Sequence, residues 1–127
     1  MSLNSNEIDH MKLLIVDDNA EMRKLICSLV AEPDDSVFEC DRGGMVLEMY
    51  SKEYPDYVLM DISMPEMSGI DATKNLIKKF PDAKVLIVSN YGDKELKGEA
   101  KNAGAEKYFL KDNLLDVKKY LLQQKKR

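Results

Sequence analysis

Five short apolar runs, each followed by a segment of helical period, leave this chain few folds to adopt. The runs cover 12–16, 36–40, 57–60, 84–88 and 107–110, and each reads as a strand of ~4–6 residues. Met22, Leu25, Ile26, Leu29 and Val30 form a helical stripe over 20–31. Met45, Val46, Met49 and Tyr50 mark a second helix, and Ile70, Thr73, Leu76, Ile77 and Phe80 a third. The fourth, over 93–103, has only Leu96, Ala100 and Ala103 on its apolar side. It also carries Gly98 at its middle, which costs about 0.8–1 kcal/mol relative to alanine. Leu114, Val117 and Leu121 mark the fifth. Pro33, Pro55 and Pro81 fall between a helix and the next strand, where a helix cannot continue. Gly104 stands where a left-handed cap would close the fourth helix. Five β–α units with short links predict an α/β domain, a doubly wound parallel sheet with helices on both faces. The runs at 12–16, 57–60 and 84–88 are the most apolar and belong at its centre. The more alternating 36–40 suits an edge.

A length of 127 residues fits one domain with a proper core. The net charge of -4 argues against nucleic-acid binding through overall charge. Lys125, Lys126 and Arg127 read as a solvated helix end, where cations suit the helix dipole. Cys27 and Cys40 form neither a metal-ligand spacing nor a disulfide framework, and read as reduced thiols of a cytoplasmic protein. No run approaches the ~20 apolar residues that span a membrane, and no signal peptide is evident. Residues 1–11 are expected to be a loose leading segment or an expression remnant, with the domain at 12–127. The one histidine, His10, lies in that segment, so histidine catalysis is not expected.

The chemistry lies where the runs end. The first stops at Asp17 and Asp18, and the third at Asp61. Side chains just past parallel strands project from the carboxyl edge of the sheet, where open α/β sheets bind ligands. Three carboxylates there repel one another unless a cation joins them. Mg²⁺ is the simplest such ion, which points to phosphate chemistry with an aspartate as nucleophile. The plainer readings are a turn former for Asp61 and an N-cap of helix 20–31 for one of the pair. A cap does not need both.

Taken in order, the strings Leu-Leu-Ile-Val-Asp-Asp-Asn, Asp-Ile-Ser-Met-Pro-Glu-Met-Ser-Gly-Ile-Asp, Val-Ser-Asn-Tyr and Gly-Ala-Glu-Lys-Tyr-Phe-Leu-Lys resemble the receiver domain of bacterial response regulators, the CheY-like family. The resemblance runs from Lys12 to about Gln124. It implies a flavodoxin-like (βα)5 fold with strand order 2-1-3-4-5. It also implies a two-component signalling domain, not an enzyme beyond its own phosphorylation and dephosphorylation. In that pattern Asp61 matches the phosphoacceptor, taking a phosphoryl group from a sensor histidine kinase or phosphotransfer protein. Asp18 matches the direct Mg²⁺ ligand, with Mn²⁺ as a substitute ion. Asp17 holds the ion through water, and the Ser63 backbone carbonyl is a further ligand. Lys111 matches the lysine that pairs with the phosphoryl oxygens, although an isolated lysine there would read as edge protection. Ser89 and Tyr108 match the switch hydroxyl and switch aromatic. They would bias a face of helix 4, strand 5 and helix 5, with the weak fourth helix as the moving part. Pro65 stiffens the loop after Asp61, and Gly69 permits the turn into the third helix.

Two positions depart from the commonest pattern. Asp112 follows Lys111 where many receivers have a proline after a cis peptide, and the sequence leaves cis and trans open. The Lys-Asp form is familiar from receivers fused to a helix-turn-helix DNA-binding domain. Asn90 follows Ser89 where a small residue is usual, and could narrow the way to Asp61. Ser63, Asn90 and Tyr91 occupy positions that tune phosphate lifetime. The output is thus a downstream protein target or a fused domain acting on transcription, with no nucleic acid or membrane bound by this chain itself. The state is a monomer or a phosphorylation-promoted homodimer through helix 4, strand 5 and helix 5. Leu115 and Leu122 either widen the core face of the fifth helix or join that surface. The competing classes are a pseudo-receiver that binds without phosphorylation and a Mg²⁺-dependent phosphatase with an aspartyl nucleophile. Against the latter, Ser63 stands where such enzymes place a second aspartate.

Overall fold

The structure, a computed structural model, describes residues 10–125. Most of the leading segment and the last two residues of the basic ending, Lys126 and Arg127, lie outside the described residues. The elements alternate as β1 (Lys12–Val16), α1 (Ala20–Val30), β2 (Ser36–Cys40), α2 (Val46–Glu53), β3 (Tyr57–Met60), α3 (Gly69–Lys79), β4 (Val85–Ser89), α4 (Lys94–Ala103), β5 (Lys107–Leu110) and α5 (Leu114–Lys125). Short 3₁₀ turns at Gly43–Met45 and Lys111–Asn113 lead into α2 and α5. All strand pairs are parallel, in the order β2-β1-β3-β4-β5. This is the doubly wound parallel sheet expected from the apolar runs, with 36–40 on an edge, and it has the flavodoxin-like order that the resemblance implies.

The central strands are buried on both faces, and their side chains alternate between two cores because the strand period is two. Leu14, Val16, Val58, Met60, Val85 and Ile87 pack toward α2, α3 and α4. Leu13, Ile15, Tyr57, Leu59, Leu86 and Val88 pack toward α1 and α5 with Ile26, Val30, Leu114, Val117 and Leu121. Burying each such side chain stabilises the fold by roughly 1.5–3 kcal/mol. Met11 is buried in the second core, and its amide donates to Asp35 Oδ1 at 2.8 Å, so the packed structure starts one residue before β1.

Several local expectations are corrected. The fourth strand begins at Val85; the ammonium of Lys84 instead lies over the Tyr57 ring. In α1 only Ile26 and Val30 are fully buried, while Leu25 and Leu29 are 45% and 36% exposed. Leu115 is 61% exposed and does not widen the core face of α5. Gly69 does not need an unusual backbone angle; a Cβ there would lie 1.8 Å from the carbonyl oxygen of Asp61, so glycine is needed for room. Gly104 does take the left-handed cap, at φ 109°, closing α4. At the end of α2 the same conformation is taken by Tyr54, at φ 46°, whose ring packs on Tyr50 and Phe80.

Candidate phosphoacceptor site

Backbone pairing continues past the strand ends and fixes the acidic residues. The Asp17 amide donates to the Cys40 carbonyl at 3.1 Å, and the Asp61 amide to the Val16 carbonyl at 2.9 Å. The cap of α1 is Asn19, whose side chain accepts from the Met22 amide at 2.9 Å. Neither aspartate is therefore used as the helix cap. Asp17 turns one oxygen to the Asn19 amide at 2.9 Å. After Asp61 the chain runs through a γ-turn: the Met67 amide donates to the Pro65 carbonyl at 2.7 Å, with Glu66 between them at φ 70°. Ser68 then caps α3.

Asp17 and Asp61 are buried and Asp18 is exposed. Each can offer an oxygen to a common point, these atoms lying within 4.8 Å of one another. Lys111, at the end of β5, reaches in with its ammonium 2.8 Å from Asp17 Oδ2 and 3.1 Å from Asp61 Oδ1. The Lys111–Asp112 peptide is trans, as are all others described. One ammonium thus faces three carboxylates. Burial, and then the charge of Asp17, push the Asp61 carboxyl above its ordinary range against the pull of Lys111; Asp18 adds to the push. Burial works against the Lys111 ammonium, but contact with Asp17 and the charge of Asp61 outweigh it and raise its pKa. Asp17 Oδ2 is buried and, despite its nearness to Lys111, receives no aligned hydrogen bond. A buried, under-satisfied carboxylate oxygen beside two further carboxylates fits a hard divalent cation.

A cavity of about 800 Å³ opens over these groups. Asp17, Asp18, Asp61 and Lys111 lie at one end with Ser63 and Asn90, and it continues along α1 past Met22, Leu25 and Ser28. Asn90 is exposed and lines the wall without closing it. Ser89 is buried and absent from the lining; its Oγ accepts from the Tyr91 amide at 3.0 Å. Tyr108 donates its hydroxyl to the Tyr91 carbonyl. Ser89, Tyr91 and Tyr108 therefore form a second hydrogen-bonded string, from the end of β4 through the following loop to β5.

Sequence reasoning missed one pair at this site. Arg23 Nε lies 2.7 Å from Glu39 Oε1 on β2, and its Nη1 donates to the Asp17 carbonyl at 2.8 Å. No sequence signal pairs them, since they meet only through the β1–β2 register, where Glu39 stands opposite Ile15.

A parallel 2-1-3-4-5 sheet with an acidic trio and a lysine at its carboxyl edge defines the CheY-like class of phosphorylation domain. The comparisons agree: residues 13–120 match the family described as response regulator receiver domain, and the chain belongs to it. It is 42% identical over 104 residues to the transcriptional regulatory protein YhcZ of Bacillus subtilis, covering 80% of this chain and 49% of that protein. It is 40% identical over 101 residues to the chemotaxis protein CheY of Thermotoga maritima, covering 79% and 84%. Among solved structures, the response regulator domain of Thermotoga maritima CheB superposes with a TM-score of 0.78 at 29% identity, covering 91% of this chain and 93% of that one. The chain spans about half the length of the transcriptional relatives it matches, 49% of YhcZ and 52% of a DegU from Brevibacillus brevis. Domains of this family act in two-component phosphoacceptor signalling and regulate an output partner. No described helix is long and apolar enough to cross a membrane.

Proposed function

We propose that this chain is a phosphorylated receiver whose acceptor is Asp61. An Asp61 carboxylate oxygen attacks the phosphorus of a phosphohistidine on a sensor kinase or phosphotransfer protein. The P–N bond breaks, its electron pair returns to the imidazole, and an aspartyl phosphate forms. Asp17, Asp18, Asp61 and the Ser63 backbone carbonyl would hold Mg²⁺, with Mn²⁺ as a substitute. When bound, the ion offsets charge on the phosphoryl oxygens. Lys111 places its ammonium on the same oxygens from the other side and stabilises the charge that builds in transfer. The observation that carries this reading is Asp61 itself, fixed by the strand pairing, 3.1 Å from Lys111 and lining an open cavity.

The rest of the reading follows from that centre. A donor reaching Asp61 must enter the cavity that α1 borders, which suits the exposed Leu25 to contact with the donor protein. Phosphorylation would draw Ser89 from the Tyr91 amide toward a phosphoryl oxygen, and Tyr108, tied to the same loop, would move with it. The α4–β5–α5 face would then meet a downstream target, a fused output domain or a second copy. Transcription is the favoured output because two relatives are transcriptional regulators about twice as long. Ser63, Asn90 and Tyr91 would set the phosphate lifetime. A kinase that draws on ATP places this chemistry in the cytoplasm, and the chain's activity is confined to its own phosphorylation and dephosphorylation.

The test is intact mass after incubation with acetyl phosphate, with and without Mg²⁺, for the wild type and Asp61→Asn. The expected result is a Mg²⁺-dependent gain of one phosphoryl group, absent in the variant. A gain that persists in Asp61→Asn overturns the assignment. No gain from acetyl phosphate or a kinase points to a binding module that works without phosphorylation.

A further inference from the structure

The side chain of Arg23 is only 17% exposed, and its guanidinium joins two elements that the acidic site depends on. One arm meets Glu39 on the edge strand and the other the Asp17 carbonyl, at 2.7 and 2.8 Å. The Arg23 amide also donates to the Asn19 carbonyl at 3.0 Å, which places the side chain one turn into α1. The Asp17 backbone is thus held on both sides, its amide by Cys40 and its carbonyl by Arg23. A peptide unit is planar. Fixing the Asp17 carbonyl therefore fixes the plane that carries the Asp18 nitrogen and Cα. With the Asp17 amide also held, this sets the direction in which the Asp17 carboxylate leaves the backbone and the point from which that of Asp18 departs. Glu39 holds the guanidinium at the angle this requires, and a rigid planar fork fixes the direction of both contacts together.

We propose that Arg23, oriented by Glu39, is a positioning residue for the Asp17–Asp18 pair and through it for the divalent cation. The inference rests on the metal site described under Proposed function. Its sign opposes simple electrostatics. A positive charge beside three carboxylates disfavours a cation, so its loss should tighten binding if charge were all that mattered. Positioning predicts weaker binding instead. It also predicts selectivity. Mg²⁺ demands near-ideal octahedral geometry, whereas Ca²⁺ accepts flexible coordination, so a misdirected pair loses Mg²⁺ more than Ca²⁺.

The experiment is calorimetric titration of the full chain with Mg²⁺ alone and with Ca²⁺ alone, for wild type, Arg23→Ala and Glu39→Ala. The expected result for Arg23→Ala is a rise of about tenfold in the Mg²⁺ Kd, the usual scale for losing an outer partner of metal ligands. The Ca²⁺ Kd should rise less than about threefold. Glu39→Ala should raise the Mg²⁺ Kd by about threefold. It removes an exposed edge-strand side chain. Losing its negative charge alone would weaken both ions alike, so the larger loss for Mg²⁺ than for Ca²⁺ decides the matter if Arg23→Ala does not fold. Unchanged or tighter Mg²⁺ binding in the folded variants overturns the proposal, as does an equal loss for both ions. A wild type that binds neither ion overturns the metal reading itself, and this inference with it.

Discussion

Lys111 and Asp61 meet across the carboxyl edge of the sheet, Nζ to Oδ1 at 3.1 Å, although β4 separates the strands that carry them. The same ammonium stands 2.8 Å from Asp17, and its side chain is 8% exposed. It is the near positive charge for two buried carboxylates, so it cannot be traded for a neutral side chain without consequence. Lys111→Ala is expected to slow labelling by acetyl phosphate by about 10²-fold, the scale for removing one preorganised donor from a charged transition state. The initial rate by intact mass, at saturating Mg²⁺, checks this. A rate within threefold of wild type would remove Lys111 from the transfer step.

The raised pKa of Asp61 makes the site a local liability when no ion is bound. The folded state holds the Asp61 proton more tightly than the unfolded chain does, because of burial and then the Asp17 charge. The penalty is therefore absent below the unfolded value of about 4 and develops as pH rises through the higher folded value. Asp61→Asn removes it, and Lys111 keeps Asp17 as its partner. At pH 7 without divalent ions the variant is expected to be more stable by about 1 kcal/mol, or about 4 °C in Tm. The gap should close near pH 3. Added Mg²⁺ should narrow it at pH 7, because the intact trio binds the ion more tightly than the variant does. Thermal melts over pH 3 to 8 read all three outcomes.

How far the sequence discloses this molecule depends on the range of the interaction concerned. Strand and helix positions, and the edge place of 36–40, follow from periodicity, because burial is decided by which face each side chain occupies. Leu25 broke that rule because α1 borders the cavity, so a residue on its apolar stripe faces open space. Gly69 shows a different limit. Its reason is a carbonyl eight positions back in the chain, and no local pattern reports a close approach of that kind. The carboxylates were legible because they end apolar runs and parallel strands bring their ends to one edge, whereas Lys111 was legible only through the family string that carries it. The Arg23–Glu39 pair was not, since it requires knowing which strand lies beside β1 and in what register.

A second buried ion pair closes the opposite end of the domain. Asp35 Oδ1 accepts from Lys125 Nζ and from the Met11 amide, and Oδ2 from the Glu32 amide, each at 2.8 Å. The two side chains are 3% and 9% exposed. Burial works against the Asp35 carboxylate, but Lys125 and the two amides outweigh it and lower its pKa. A lowered folded pKa contributes stability that is present above the unfolded value of about 4 and is lost as pH falls through the folded value. Asp35→Ala strands two amides and an ammonium, and is expected to cost about 3 kcal/mol at pH 7. Urea unfolding at pH 7 and pH 3 checks this, with a smaller difference expected at the lower pH. An equal cost at both would assign the loss to packing and not to the charge.

Two glycines make opposite predictions from the same substitution. A Cβ on Gly69 would fall 1.8 Å from the Asp61 carbonyl oxygen and 2.7 Å from its carbon, and backbone cannot move aside as a flexible side chain can. Gly69→Ala must push α3 away from Asp61 or displace Asp61 itself. The expected cost is about 3 kcal/mol, with slower acetyl phosphate labelling in whatever fraction folds. Gly98 lies within α4, and a Cβ there meets nothing within 4 Å. Gly98→Ala is therefore expected to stabilise by about 0.8–1 kcal/mol, the helix-propensity gain alone. If α4 is the element that moves on phosphorylation, stiffening it should also shift the response. Hydrogen exchange of α4 amides, with and without beryllofluoride and Mg²⁺, should show a smaller change in Gly98→Ala than in the wild type. Equal protection of α4 in both ligand states of the wild type would remove that helix from the switch, leaving the stability gain as the sole effect of the substitution.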